Sequence, residues 1–218
     1  METTIPPSGI PSGIVITIGR QFGSGGRELG KRLADSFGIR YYDKELLSEA
    51  AEKAGINPRF FEKNDERFPS FVSGVFAFAH GFSSVNPFSG PSSISDECVY
   101  KAQSDFIHQK ASEESCVFVG RSADYVLRDH PRCLNLFVHA PIEECVKRIM
   151  RRGDFGDSDK ARSHANKVNR QRADYYNFYT DKTWGVASSY DLSFDTSLIP
   201  MEGIVEIVRR YLWLRFGN

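Results

Sequence analysis

The sequence predicts an α/β fold of three layers, α/β/α, built on a central parallel sheet, with one domain spanning residues 14–218. Three observations predict it. Short β-branched or apolar runs alternate with helical stretches, an order that gives parallel strands buried on both faces. The first run hands over to the first helix through a cluster of four glycines, Gly19, Gly23, Gly25 and Gly26. The composition, 40% hydrophobic and 26% charged over 218 residues, is that of a globule large enough to bury a core.

The elements follow in order. "METTIPPSGIPSG" is rich in Pro, Ser and Gly and reads as a mobile lead-in over residues 1–13. "IVITIG" (Ile14–Gly19) reads as a buried strand. A helix follows, with Leu29, Leu33 and Ala34 at helical spacing. "GIRYYD" (Gly38–Asp43) is a second short strand, and "KELLSEAAEKAG" (Lys44–Gly55) a helix with a glycine stop. The segment over about 57–95 is crowded with Phe, Gly, Ser and Pro and reads as an irregular insertion, a flap over a substrate site. Order resumes with a helix (Cys98–Glu114), a strand (Ser115–Gly120) and another strand (Cys133–Ala140). A helix with Pro at its first position (Pro141–Gly153) and a very basic helix (Asp157–Thr180) come next. "YDLSFDT" (Tyr190–Thr196) is the last strand. The closing helix (Pro200–Phe216) carries an apolar face at Ile204, Ile207, Val208 and Leu212.

Several function classes are disfavoured. The formal net charge is zero, so a broad electrostatic footprint for nucleic acid or a membrane is not expected. No apolar run approaches the ~20 residues of a membrane helix, and no secretory signal is read. The four cysteines (Cys98, Cys116, Cys133, Cys145) lack metal-ligand spacing and read as free thiols, which fits a reducing cytoplasm. The five histidines form no HxH or HxxxH pair, and no metal ligand set is read.

The glycine cluster carries the chemistry. Glycine tolerates positive φ, so successive amides can turn inward as an anion-binding nest, and the helix that follows points its positive end at the same place. The candidate phosphate-binding residues are Gly19, Arg20, Gln21, Phe22, Gly23, Ser24, Gly25, Gly26 and Arg27. The nucleotide loop G-x-x-x-x-G-K-[ST] ends in a lysine and a hydroxyl. Set on that pattern, Gly26 stands in the lysine's place, Arg27 in the hydroxyl's, and Arg20 where the first glycine would be. Arg20 and Arg27 are the local candidates to replace the lost charge, since a guanidinium forks onto two phosphate oxygens. A glycine-rich turn beside two surface arginines is the plain alternative.

Four stretches together resemble the cytidylate kinase-like branch of the P-loop nucleoside monophosphate kinases. They are "ITIGRQFGSGGRELGKRLA", "VFVGRSADYVL", "VHAPIEECVKRIMRR" and "NRQRADYYNFYTDKTWG" with "YDLSFDTSLI". The resemblance implies a P-loop NTPase-type fold with a helical lid and an acceptor-side insertion. It implies phosphoryl transfer from ATP to a nucleoside monophosphate, CMP-like, or another small acceptor. The lid would span about 148–174, with Arg148, Arg152, Arg170 and Arg172 as its catalytic arginines; a basic helix is otherwise a solvated face. Arg121 would face the acceptor phosphate, or serve as a structural arginine. Asp43 would begin the acceptor-binding helix and meet a ribose, a base amine or a metal-bound water, or else cap that helix. "YYNFY" (Tyr175–Tyr179) reads as structural, with the option of bracing the lid or stacking on a base.

The chain also departs from cytidylate kinases. Its acceptor helix has no arginine, Ser122 stands where aspartate follows the Gly-Arg, and Asp124 lies two residues on. Magnesium is implied as a cofactor, but without the usual loop hydroxyl as ligand. A catalytically weak nucleotide-binding sensor on the same fold is the second reading. The expected partners are small nucleotides, with no nucleic acid and no membrane; the oligomeric state is not fixed by the sequence.

Overall fold

The computed structural model describes residues 9–43 and 96–217. The helix expected at Lys44–Gly55 and the insertion expected over 57–95 lie outside the described residues. The strands are β1 (Val15–Arg20), β2 (Arg40–Tyr42), β3 (Cys116–Val119), β4 (Cys133–His139) and β5 (Leu192–Asp195). The helices are α1 (Gly26–Phe37), α2 (Asp96–Glu113), α3 (Ala123–Val126), α4 (Ile142–Arg151), α5 (Ser158–Tyr179) and α6 (Met201–Phe216). The strands form one parallel sheet in the order β2-β3-β1-β4-β5.

The strand sequences read as unbroken apolar runs because both faces are covered. Ile14, Ile16 and Ile18 point to one face and pack with Leu29 and Leu33 of α1 and Ile204, Val208 and Leu212 of α6. Val15, Cys116 and Phe118 point to the other face, against Phe106 and Ile107 of α2 and Ala123 and Val126 of α3. Each fully buried Ile, Leu or Phe contributes roughly 1.5–3 kcal/mol, so this double layer is the main source of stability. Thr17, which faces the α2–α3 side, is buried and donates its hydroxyl to Asn135 Oδ1 at 2.7 Å. The polar group is satisfied within the sheet.

The topology places a crevice at the strands' C-terminal ends. β1 is central, between β3 and β4. The helix after β1 covers one face and the helix after β3 covers the other. The two loops therefore part from adjacent strands, which is where open α/β sheets bind ligands. The basic helix α5 is capped by Asp157, whose carboxylate accepts from the Lys160 amide at 2.8 Å. It packs Ala161 and Ala165 on Val146 and Ile149 of α4.

Four details differ from the sequence expectation. The last residues of the lead-in are anchored: Pro11 is buried, Ile10 packs on the core, and Trp213 Nε1 donates to Gly9 O at 3.2 Å. Pro141 caps α4 rather than opening it. The short helix α3 has too few residues to show a period. In α6, Ile207 is 42% exposed, while Val205 and Arg209 are buried in its stead. Ile207 lies three residues after Ile204 and one before Val208, at the margin of the stripe, where periodicity alone does not separate rim from core.

That correction is measurable. Ile204→Ala should destabilise the protein by about 2–4 kcal/mol, as expected of a cavity in a packed core. Ile207→Ala should cost less than about 1 kcal/mol. Urea unfolding of the two variants checks the difference, and equal losses would contradict the helix orientation.

Candidate active site

The glycine loop is built between the end of β1 and the start of α1, and most of its polar groups are engaged. The Gln21 amide donates to Val138 O at 3.0 Å, and Gln21 Oε1 accepts from the Ala140 amide at 3.2 Å. The Phe22 amide donates to Asn169 Oδ1 of α5 at 2.7 Å. Ser24 is fully buried and donates its hydroxyl to Gln21 O at 2.9 Å. The loop's far side is held by a relay from two elements. Arg148 Nη1 donates to Ser24 O (3.1 Å) and to Thr196 Oγ1 (2.8 Å), Arg148 Nη2 donates to Thr196 O (2.8 Å), and Thr196 Oγ1 donates to Ser24 O (2.6 Å). These bonds fix the loop's path and turn it outward.

What remains for a ligand is the opening of α1. Gly25 takes the left-handed conformation (φ 89°) at the N-cap. The first-turn amides of Gly26, Arg27 and Glu28 have no acceptor within the helix, by the geometry of every helix start. They face the cavity at the loop with the helix's positive end. Of the nine loop residues expected to hold phosphate, Gln21, Phe22 and Ser24 thus have their amides engaged inside the protein, and Ser24 its hydroxyl as well.

The structure shows why glycine stands in the lysine's place. The Arg20 side chain runs directly over Gly26, where an added Cβ would lie 2.6 Å from Arg20 Cβ. Its guanidinium ends against Gly120, where a Cβ would lie 1.8 Å from Nη1. A side chain at 120 would displace the Arg20 guanidinium, and one at 26 would collide with the Cβ that Arg20 carries on the strand end. Arg20 Nη2 lies 3.9 Å from Asp43 Oδ1, and Arg27 Nε lies 2.7 Å from Asp43 Oδ2. The residues assigned separately to donor and acceptor therefore meet in one cluster, Arg20–Asp43–Arg27.

Arg121 follows at the end of β3 in the left-handed region (φ 62°), as does Ser122 (φ 50°). Such a conformation costs a non-glycine residue roughly 1–2 kcal/mol, and strain of this kind collects at functional sites. Burial, and then the nearby Arg20 charge, lower the Arg121 pKa to about 10. The guanidinium is still cationic at neutral pH.

Two cavities meet here. The outer one, ≈ 630 Å³, lies over the glycine loop and is walled by Arg27, Lys31, Asp43, Arg148, Arg151 and Arg152. The inner one, ≈ 100 Å³, lies beyond β1 and β3 under α5, lined by Arg121, Asp124, Tyr175, Tyr176, Trp184 and Tyr190. Arg20 and Arg172 line both. Arg172 Nη1 donates to Arg20 O at 3.2 Å, so the two residues stand together at the boundary. Inside, Tyr176 donates its hydroxyl to Asp124 Oδ2 at 2.6 Å. Burial raises the Asp124 pKa, and the Tyr176 bond works against that rise.

Of the four lid arginines, Arg152 and Arg172 line the outer cavity, and Arg148 reaches it while clamping Ser24 and Thr196. Arg170 is not brought to the site: its side chain is 86% exposed, with Asp174 3.9 Å away. Lys31 and Asn169 were not anticipated; Arg151 was expected in the lid but not at the site, and Thr196 as a structural residue. The aromatic inner wall was not anticipated either, apart from the option that "YYNFY" stacks on a base. Trp184 and Tyr190 lie outside any helical pattern that would have flagged them.

The described residues do not fit a protein-held magnesium ion. They contain no cluster of three His, Cys, Asp or Glu side chains suited to a metal. The Ser24 hydroxyl is buried and donating, Arg27 fills the hydroxyl's place, and the Asp43 carboxylate is ion-paired.

Comparison with known proteins bears on the family and the fold. The chain belongs to the cytidylate kinase-like family, whose sequence model matches residues 15–198. It is 24% identical over 197 residues to a cytidylate kinase from Pyrococcus horikoshii, covering 90% of this chain and 86% of that one. A crystal structure of an uncharacterized protein from Eubacterium ventriosum superposes with a TM-score of 0.67 at 28% identity, over 91% of this chain and 98% of that one. Shikimate kinase from Bacteroides thetaiotaomicron superposes with a TM-score of 0.51 at 14% identity, over 91% and 98% of the two chains. That last likeness shows the fold alone.

The Arg20 slot yields a controlled test. Gly120→Ala should displace the guanidinium and weaken pyrophosphate binding at least tenfold. Gly38→Ala carries a comparable left-handed penalty (φ 65° against 83°) but meets nothing within 4 Å. It should lose ~1–2 kcal/mol of stability and no pyrophosphate affinity. Calorimetric titration of both variants compares them, and equal affinities would dispose of the slot.

Proposed function

We propose that this chain transfers a phosphoryl group from ATP to a nucleoside monophosphate, CMP-like, or to another small anionic acceptor. One observation carries the reading: two cavities of different character adjoin at the strand ends and share Arg20 and Arg172 at their boundary. The outer cavity has the α1 amides and several cations, which suit a triphosphate. The inner one has aromatic walls, a buried carboxylate and Arg121, which suit a small ring bearing an anionic group. A phosphoryl group passing between them crosses the two shared arginines.

The chemistry asks little of covalent catalysis. Phosphoryl transfer depends on positioning and on neutralising charge over the equatorial oxygens. In this scheme the α1 amides hold the donor phosphates, Arg121 orients the acceptor anion, and Arg20 and Arg172 stabilise the group in transit. Arg148 and Thr196 act through the loop they hold and are positioning residues. Magnesium, if used, comes on the nucleotide with its own waters, the usual habit of that ion with phosphates.

A second reading, a nucleotide-binding sensor of little activity, is favoured by the pairing of Arg27 with Asp43 and by the lack of a lysine at position 26. An acceptor screen separates them. ATP is offered with ribo- and deoxynucleoside monophosphates, nucleosides and phosphosugars, and ADP release is measured. Acceptor-dependent release is expected, and Arg172→Met should lower turnover by roughly 10³-fold, the scale of a phosphoryl-stabilising arginine. A protein that binds ATP yet stays silent with every acceptor is the sensor.

A further inference from the structure

The loop carries a phenylalanine, Phe22, at a position where a phosphate loop has no need of a ring. Phe22 is half-buried, and four side chains of the lid region converge on it. The Arg152 guanidinium lies 5.5 Å from its ring centroid and that of Arg172 lies 5.7 Å away. Both fall inside the ~6 Å reach of a cation–π contact. His164 meets the ring edge-on at 5.1 Å, and Asn169 Oδ1 accepts from the Phe22 amide at 2.7 Å. Asn169 and Arg172 are three residues apart on α5 and so share one helix face. That face takes the Phe22 backbone with one residue and the Phe22 ring with the other.

We propose that Phe22 is a positioning residue whose ring holds Arg152 and Arg172 over the glycine loop, where they supply the charge that a lysine at position 26 would otherwise bring. Both arginines line the outer cavity. Each also has another partner among the described residues. Arg152 pairs with Asp154 at 2.8 Å on the exposed surface, and such a pair constrains little. Arg172 Nη1 donates to Arg20 O, which anchors one end of its guanidinium. The ring is the element common to both. It is covalently part of the loop, so the arginines are referenced to the phosphate cradle itself. A quadrupole attracts a cation without neutralising it, so the arginines keep their charge for an anion, which a carboxylate in the same place would cancel.

The proposal rests on the reading that the outer cavity takes ATP. It is tested by ATP affinity, measured calorimetrically on the full chain for the wild type, Phe22→Leu and Phe22→Tyr. The two changes are repeated in an Arg152→Met/Arg172→Met background as a double-mutant cycle, with thermal unfolding followed for every variant. Phe22→Leu should weaken ATP binding about tenfold, in line with the loss of two cation–π contacts. Phe22→Tyr, which keeps the ring, should stay within about twofold of wild type. In the arginine-free background Phe22→Leu should cost less than about twofold. A merely structural phenylalanine gives a different pattern: the leucine variant loses the same affinity with and without the arginines, or loses none, and either result overturns the proposal. Wild-type protein that does not bind ATP overturns the nucleotide reading and this inference together, whereas a wild type that binds and a Phe22→Leu that binds equally well overturns this inference alone.

Discussion

Arg20 is the side chain on which the site's layout depends. It leaves the end of the central strand, crosses the start of α1 over Gly26 and ends against Gly120 at the end of the neighbouring strand. Both crossings are too close for a Cβ, so three residues from three places in the chain are chosen together. The consequence is electrostatic as well as steric. A cation enters the floor of the crevice from the strand side, near enough to Arg121 to help lower its pKa and near enough to Asp43 to share that carboxylate with Arg27. The departure of the loop from G-x-x-x-x-G-K-[ST] is then one rearrangement rather than three losses. An arginine seated at position 20 excludes any side chain at 26, and so excludes the lysine.

Much of the fold was legible because the strands are buried on both faces. A run such as "IVITIG" has no polar register to obscure it, and glycine or proline marks most element ends. Gly38, left-handed after α1, is a stop of this kind. The errors lie where local pattern has least information. Ile207 sits at the edge of a helical stripe, and only the packing of α1 against α6 decides which edge is wet. Residues Gly9–Pro11 have the composition of a loose leader, yet they are held by Trp213 from the far end of the chain, a contact about two hundred residues away in sequence. Contacts of that kind leave no local trace.

The site was legible to a smaller degree, and for a definable reason. The glycine loop announces itself because backbone conformation is written in the residues that permit it. Side-chain partnerships are not. Nothing in the sequence signals that Arg20 and Arg27 meet Asp43, that Arg148 is occupied in holding Ser24, or that Arg170 alone of these four arginines lies off the outer cavity. All four arginines lie in basic stretches around α4 and α5, and rotation about a helix axis separates Arg170 from Arg172 by two residues' worth of turn, enough to send them to opposite sides. The inner wall is harder still. Asp124, Tyr176, Trp184 and Tyr190 come from three separate segments and are brought together only by the docking of α5 and the turn that follows it.

That docking bears on how such a site holds its charge. A lysine on the first turn of the loop helix is present whatever the lid does. In this chain Arg20, Arg27 and Lys31 line the cavity from the strand and the loop helix, and further cations come from Arg152 at the end of α4 and Arg172 within α5, which reaches the loop through Asn169 and Phe22. Anion affinity and the seating of α5 are therefore linked: whatever fraction of molecules has the helix seated multiplies the affinity of the assembled site. By the reciprocity of linkage, an anion in the outer cavity must favour the seated helix by the same factor. The seated helix also forms the roof of the inner cavity, through Val168, Gln171 and Tyr175. On the proposed reading, a donor bound outside would favour the roof that an acceptor inside needs, and with it the exclusion of water. A loop with its own lysine would bind the donor tightly without that condition. On that reading, the lid arginines tie part of the site's charge to closure.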